Sequence, residues 1–99
     1  MGKEIHAVNT NMIERIDFKE EGYRLYALDI YLISGYVIRR RLHSPEFYRE
    51  SGDIDALENN LEFITTIIAN VHLSPLLKDK LLRLKDGYSR VLVELRRRR

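Results

Sequence analysis

The sequence predicts an α+β domain: an antiparallel sheet of three to four strands, in the element order β-β-β-α-α-α-β, packed with two main helices. Three observations carry this. Between Met12 and Leu42 the pattern is that of strands broken by two glycine turns. From Ile54 to Leu84 apolar residues recur at helical spacing, and from Tyr88 to Leu95 alternation returns.

In the first strand Ile16 and Phe18 alternate with Arg15, Asp17 and Lys19, and Glu20-Glu21-Gly22 makes the turn. The middle strand, Tyr23–Ile33, is dense in Tyr, Leu and Ile, and Ser34-Gly35 turns the chain into Tyr36–Leu42. A two-residue loop at Ser34-Gly35 would set Tyr31 opposite Ile38 and Asp29 opposite Arg40. That register hands Asp29, the sole charge between Leu25 and Tyr36, a guanidinium across the strand. The middle strand is apolar on both faces, with Leu25, Ala27, Tyr31 and Ile33 on one and Tyr26, Leu28, Ile30 and Leu32 on the other. One face needs helices and the other needs a second cover, so a homodimer burying part of Tyr23–Tyr36 is expected.

Ser44-Pro45-Glu46 opens a short helix. Asp53 is an N-cap for the stripe Ile54, Leu57, Leu61, Ile64, Ile68 and Val71, widened by Phe63, Ile67 and Ala69. Ser74-Pro75 starts another helix with Leu77, Leu81 and Leu84 as its stripe, and Asp86-Gly87 reads as its end. Tyr88–Leu95 then reads as a last strand, with Val91, Val93 and Leu95 inward. The 99 residues read as one domain, residues 1–99.

Apolar content of 44% beside 32% charge places the chain among globular proteins rather than disordered ones. The absence of cysteine excludes disulfides, thiolate chemistry and cysteine-based metal centres. No run is long enough to span a membrane, and the start Met1-Gly2-Lys3-Glu4-Ile5-His6 has no apolar signal region, so an intracellular protein is expected.

The formal net charge of +2 hides an uneven distribution. Between Ser51 and Leu77 stand Asp53, Asp55, Glu58 and Glu62 with no Lys or Arg, whereas Lys78–Arg99 is strongly basic and ends in four arginines. Arginine forks phosphate oxygens bidentately, and adjacent arginines neutralise several phosphates. Arg96, Arg97, Arg98 and Arg99 are therefore the first candidates for contact with a DNA or RNA backbone, joined by Arg39 and Arg41, which alternation places on one strand face with Arg40 on the other. Ion pairing of these arginines to Asp29, Glu14 or Glu50 is the structural alternative for the strand cluster. His6, His43 and His72 lie far apart without ligand spacing, and no P-loop, nucleophile elbow or dinucleotide motif occurs. No catalytic residue, metal or cofactor is expected.

High charge with no Gln, no Cys and few Met is a composition suited to heat. With the Tyr/Ile-rich strands Tyr23–Ile33 and Tyr36–Arg41 and the arginine-capped end, the chain resembles the small proteins encoded by filamentous DNA viruses (lipothrixvirus or rudivirus type) of hyperthermophilic archaea. The resemblance implies a hyperthermostable viral accessory protein in the host cytoplasm and carries over no site residue. The expected function is non-enzymatic nucleic-acid binding through the arginine-rich surface. The alternative is a homodimeric module acting on a host protein through the sheet and the acidic face Asp55-Glu58-Glu62.

Overall fold

The computed structural model describes Glu4, Ile5 and residues 8–98. A two-residue ladder, β1 (Glu4–Ile5) with β2 (Val8–Asn9), leads through a 3₁₀ turn at Thr10–Met12 into the main sheet. β3 (Ile13–Gly22), β4 (Leu25–Leu32) and β5 (Val37–His43) form an antiparallel meander in that order. Three helices follow: α1 (Pro45–Ser51), α2 (Ile54–Asn70) and α3 (Pro75–Arg97). The fold is α+β, with a three-stranded sheet and no strand after the helices among the described residues.

The expected last strand is helix. α3 runs without a break through Asp86, Gly87 and Tyr88 to Arg97. Val91, Val93 and Leu95 do alternate, but Leu77, Leu81, Leu84, Tyr88, Val91 and Leu95 also recur at three and four residues. That stripe faces the core, with Leu81, Tyr88 and Val91 fully buried, while Val93 lies about half exposed. Ion pairs Asp79–Arg83 and Asp86–Arg90, one turn apart, support the outer face on both sides of Gly87. Gly87 stays helical and gives room to Pro45 of α1 instead of ending the helix.

The strand register differs from the expected one by one residue. Asp29 pairs with Arg39, Ile30 with Ile38 and Tyr31 with Val37. Ser34-Gly35 belongs to a three-residue loop: the Gly35 N–H donates to the Leu32 carbonyl at 2.9 Å, and the Leu32 N–H donates to Tyr36 at 2.8 Å. Gly35 has φ 98°, the left-handed residue that closes such a loop. At the other end the turn falls on Tyr23-Arg24, one step later than Glu20-Glu21-Gly22, with Gly22 paired to Leu25 and Arg24 left-handed at φ 58°. Irregularities between Ile13 and Arg15 and between Glu20 and Gly22 insert an extra residue on β3 at each end.

One sheet face meets the helices. Ile16, Leu28, Ile30 and Leu42 join Leu57, Ile64, Ile67, Leu81, Tyr88 and Val91 in a single core. α2 begins as expected, with the Asp53 carboxylate accepting from the Ala56 N–H at 3.1 Å. Its buried arc is centred on Leu57, Phe63, Ile64 and Ile67; Leu61 and Ile68 are only partly buried, and Ala69 is exposed. Ser74 caps α3 through the Leu77 N–H, 3.3 Å away.

Candidate nucleic-acid interface

The second sheet face carries charge, where an apolar surface was expected. β3 sends Arg15, Asp17, Lys19 and Glu21 to that face; β4 sends Ala27, Asp29 and Tyr31; β5 sends Val37, Arg39 and Arg41. No helix covers it. Ala27, fully buried beneath longer neighbours, leaves space for side chains to reach across the central strand. The expected ground for a homodimer through Tyr23–Tyr36, an uncovered apolar face, is thereby replaced by an ionic lattice.

Asp29 anchors that lattice. Arg39 donates to it twice, from Nε at 2.7 Å and from Nη2 at 3.1 Å, and the Lys19 ammonium stands 3.1 Å away. Glu21 bridges Arg39, at 3.7 Å, and Arg41, at 3.2 Å. Arg15 pairs with Asp17 at 3.0 Å and lies over the Tyr31 ring, 3.8 Å from its centroid. The Arg39 hydrogen bonds, opposed by desolvation, lower the Asp29 pKa to about 2. Water is kept from this carboxylate by its own ionic partners rather than by depth, since those partners are themselves about half exposed.

A test follows from that carboxylate. A folded-state pKa below the unfolded one stabilises the protein above the unfolded value, and the contribution is lost as pH falls through the folded one. Between about pH 4 and pH 2 the native protein is expected to lose stability that an Asp29→Asn variant never had. The full shift corresponds to about 2 kcal/mol, and screening near the surface reduces the expected loss to about 1 kcal/mol. Urea unfolding of both proteins across this window checks it; parallel pH profiles would refute it.

Arg40 points the other way, as alternation requires. Its guanidinium donates to Asn60 of α2 at 2.9 Å and lies 4.3 Å from the Phe63 ring centroid. Asn60 in turn donates to the buried Tyr48 hydroxyl, so Arg40 ties the sheet to α2.

The tail arginines form a separate group at the end of α3. Arg96 reaches Glu58 of α2 at 3.0 Å, and Arg98 reaches Glu94 at 3.3 Å. Arg49 of α1 holds the same Glu94 carboxylate at 2.8 Å. Arg97 is exposed with no carboxylate within ion-pair distance among the described residues, and Arg99 lies outside them. Arg39 and Arg41 thus share one site with Lys19 and Glu21, and the end of α3 is a second, where Arg98 joins Arg49 on Glu94, Arg96 pairs apart from them with Glu58 of α2, and Arg97 stands exposed. The described ion pairs do not join the two sites.

Sequence reasoning missed Arg49 and Lys19 as members of these groups. Lys19 was legible from the alternation of Arg15, Asp17 and Lys19 on one strand face; Arg49 was not, because its link to Glu94 spans 45 positions. The described residues contain no group of three or more His, Asp or Glu side chains placed to hold a metal ion. His43 stacks on Phe47 with ring centroids 3.8 Å apart. Among the described residues no helix is long and apolar enough to cross a membrane. Comparisons with protein-family models, curated proteins and solved structures find no match to this chain.

Proposed function

We propose that the protein is a non-enzymatic accessory protein that binds the phosphate backbone of nucleic acid with the C-terminal end of α3. One observation carries this reading: at the end of α3 Arg98 shares the Glu94 carboxylate with Arg49, exposed Arg97 makes no ion pair among the described residues, and Arg96, bound to Glu58 near Glu62, adds a further exposed guanidinium. The surplus guanidinium groups keep unused N–H donors directed at solvent, and such donors match phosphate oxygens in pairs. The sheet arginines contribute less, because Asp29 and Glu21 already occupy Arg39 and Arg41. Binding of this kind is independent of base sequence. The lattice on the sheet links five charges through shared carboxylates, a network form suited to high temperature, and with the viral resemblance it supports a setting in a hot archaeal host cell.

The test is a titration of duplex and single-stranded oligonucleotides at several salt concentrations, read by fluorescence anisotropy. Affinity is expected to fall steeply with salt, and the Arg97→Ala/Arg98→Ala variant should lower the logarithmic slope by about two through lost counterion release. Arg41→Ala should change the slope less. Absence of binding at low salt overturns the proposal.

A second reading, a module acting on a host protein, draws on the tip of the β4–β5 hairpin. There Ile33, Tyr36 and Val37 are exposed beside Met12, whose carbonyl accepts from Ile33. A pull-down lost on Tyr36→Ala but kept in the Arg97→Ala/Arg98→Ala variant would favour it over phosphate binding.

A further inference from the structure

The two edges of the sheet are not equivalent. β5, at one edge, carries Arg39-Arg40-Arg41 in its centre, so antiparallel pairing with its own copy about that centre sets Arg39 against Arg41 and Arg40 against itself. Like charges placed directly opposite are destabilising, and a basic run of this kind is how edge strands avoid pairing. β3, at the other edge, has no strand beside it on its outer side among the described residues, and its charges alternate in sign.

That alternation is self-complementary in one register. A symmetric antiparallel pair that keeps both sets of helices on the same side must place residues of one face against residues of the same face. Centring the pair on Asp17 or on Lys19 sets a charge against itself and, in the first case, Arg15 against Lys19. Centring it on Ile16 gives Arg15 opposite Asp17 but leaves Lys19 facing Ile13. Centring it on Phe18 sets Asp17 opposite Lys19 and Arg15 opposite Glu21, each twice by symmetry, with Phe18 on Phe18 at the axis.

Three of the four side chains at that edge are open to solvent; Glu21, about a quarter exposed and held by Arg39 and Arg41, must turn from that bridge to meet Arg15 of the second copy. Arg15 and Lys19 are about half exposed and Asp17 more than a third exposed. On the helix side a groove of about 180 Å³ runs between Ile16, Asp17 and Phe18 of β3 and Ser74, Leu76, Leu77 and Lys80 at the start of α3. Leu76 is 68% exposed at its rim, next to where the Phe18 pair would lie. The charged ladder on one face and a groove of mixed polarity on the other, with Phe18 and Leu76 as its apolar part, give both faces of the edge groups to engage a second copy.

We propose that β3 is a homodimerisation edge: two copies of this chain join antiparallel about Phe18 into one six-stranded sheet, held by Asp17–Lys19 and Arg15–Glu21 pairs across the junction. Lys19 of each copy then stands between Asp29 of its own sheet and Asp17 of the second copy, which extends the ionic lattice through the interface. The inference is independent of the phosphate reading and survives its failure.

Sedimentation equilibrium at tens of micromolar is expected to show a dimer, and a strict monomer overturns the proposal. Asp17→Lys and Lys19→Glu each place two like-charge pairs in the junction, so each variant alone is expected to dissociate at least about tenfold more readily. Mixing the two in equal amounts restores every opposite-charge pair, and a heterodimer of native affinity is the expected result. Variants that stay dimeric alone, or that fail to associate when mixed, place the interface elsewhere and overturn the proposal. Should either variant lose its fold by circular dichroism, hydrogen exchange on the native chain decides. Amides of β3 should gain protection as concentration rises while those of β5 do not, and protection gained at β5 or only on the helices refutes the β3 edge.

Discussion

Replacing Tyr88 by Ala is expected to lower the stability of the fold by about 3–5 kcal/mol, the cost of emptying a buried aromatic site. Tyr88 is fully buried, and its ring stands edge-on to Tyr48 with centroids 5.5 Å apart. Its hydroxyl donates to the carbonyl of His43, the last residue of β5. One side chain on α3 therefore touches α1 and the end of the sheet together, and burial pushes its phenol pKa up so that the hydroxyl remains a donor. Tyr88→Phe keeps the ring and leaves the His43 carbonyl short of a partner, for an expected loss of about 1 kcal/mol. Urea unfolding of the two variants measures both values. A Tyr88→Ala protein as stable as one changed at exposed Leu76 would refute this account of the core.

Tyr88 also marks where the sequence stops being legible. α2 was readable because two independent signals agree, a cap at Asp53 and an apolar stripe from Ile54 onward. The stripe could not say which flank lies deeper. A helix packed against both the sheet and α3 buries a wide arc, and Phe63 and Ile67 are deeper than Leu61 and Ile68. Past Gly87 two periods compete. Val91, Val93 and Leu95 fit a strand, while Leu84, Tyr88, Val91 and Leu95 fit a helix, and glycine tipped the choice the wrong way. The strand pairing turned on a single loop residue. That shift gave Asp29 its arginine from Arg39, with Arg40 released to α2. The arginine tail was plain as composition. Its partners Glu58, Glu94 and Arg49 were not, because distant contacts leave no spacing to read.

A Gly87→Ala change would ordinarily strengthen a helix by about 1 kcal/mol, and here it is expected to weaken the protein instead. Gly87 sits in the middle of the 23-residue α3, where α1 crosses it. A Cβ at this position would lie 2.6 Å from Cγ of Pro45, inside any tolerable contact. The Pro45 ring opens α1 just after the buried Ser44 and cannot rotate away, so the helices must part. Overpacking of this kind costs about 1–3 kcal/mol, which exceeds the gain in helix propensity and reverses its sign. Removing the obstacle should restore the ordinary outcome. In a Pro45→Ala background the nearest remaining contact is at 3.4 Å, an ordinary packing distance, and Gly87→Ala should then be neutral or stabilising. A double-mutant cycle read by thermal or urea unfolding isolates the coupling of the two positions. Equal effects of Gly87→Ala in both backgrounds would show that Pro45 does not dictate the glycine, and that α3 tolerates a side chain where α1 meets it.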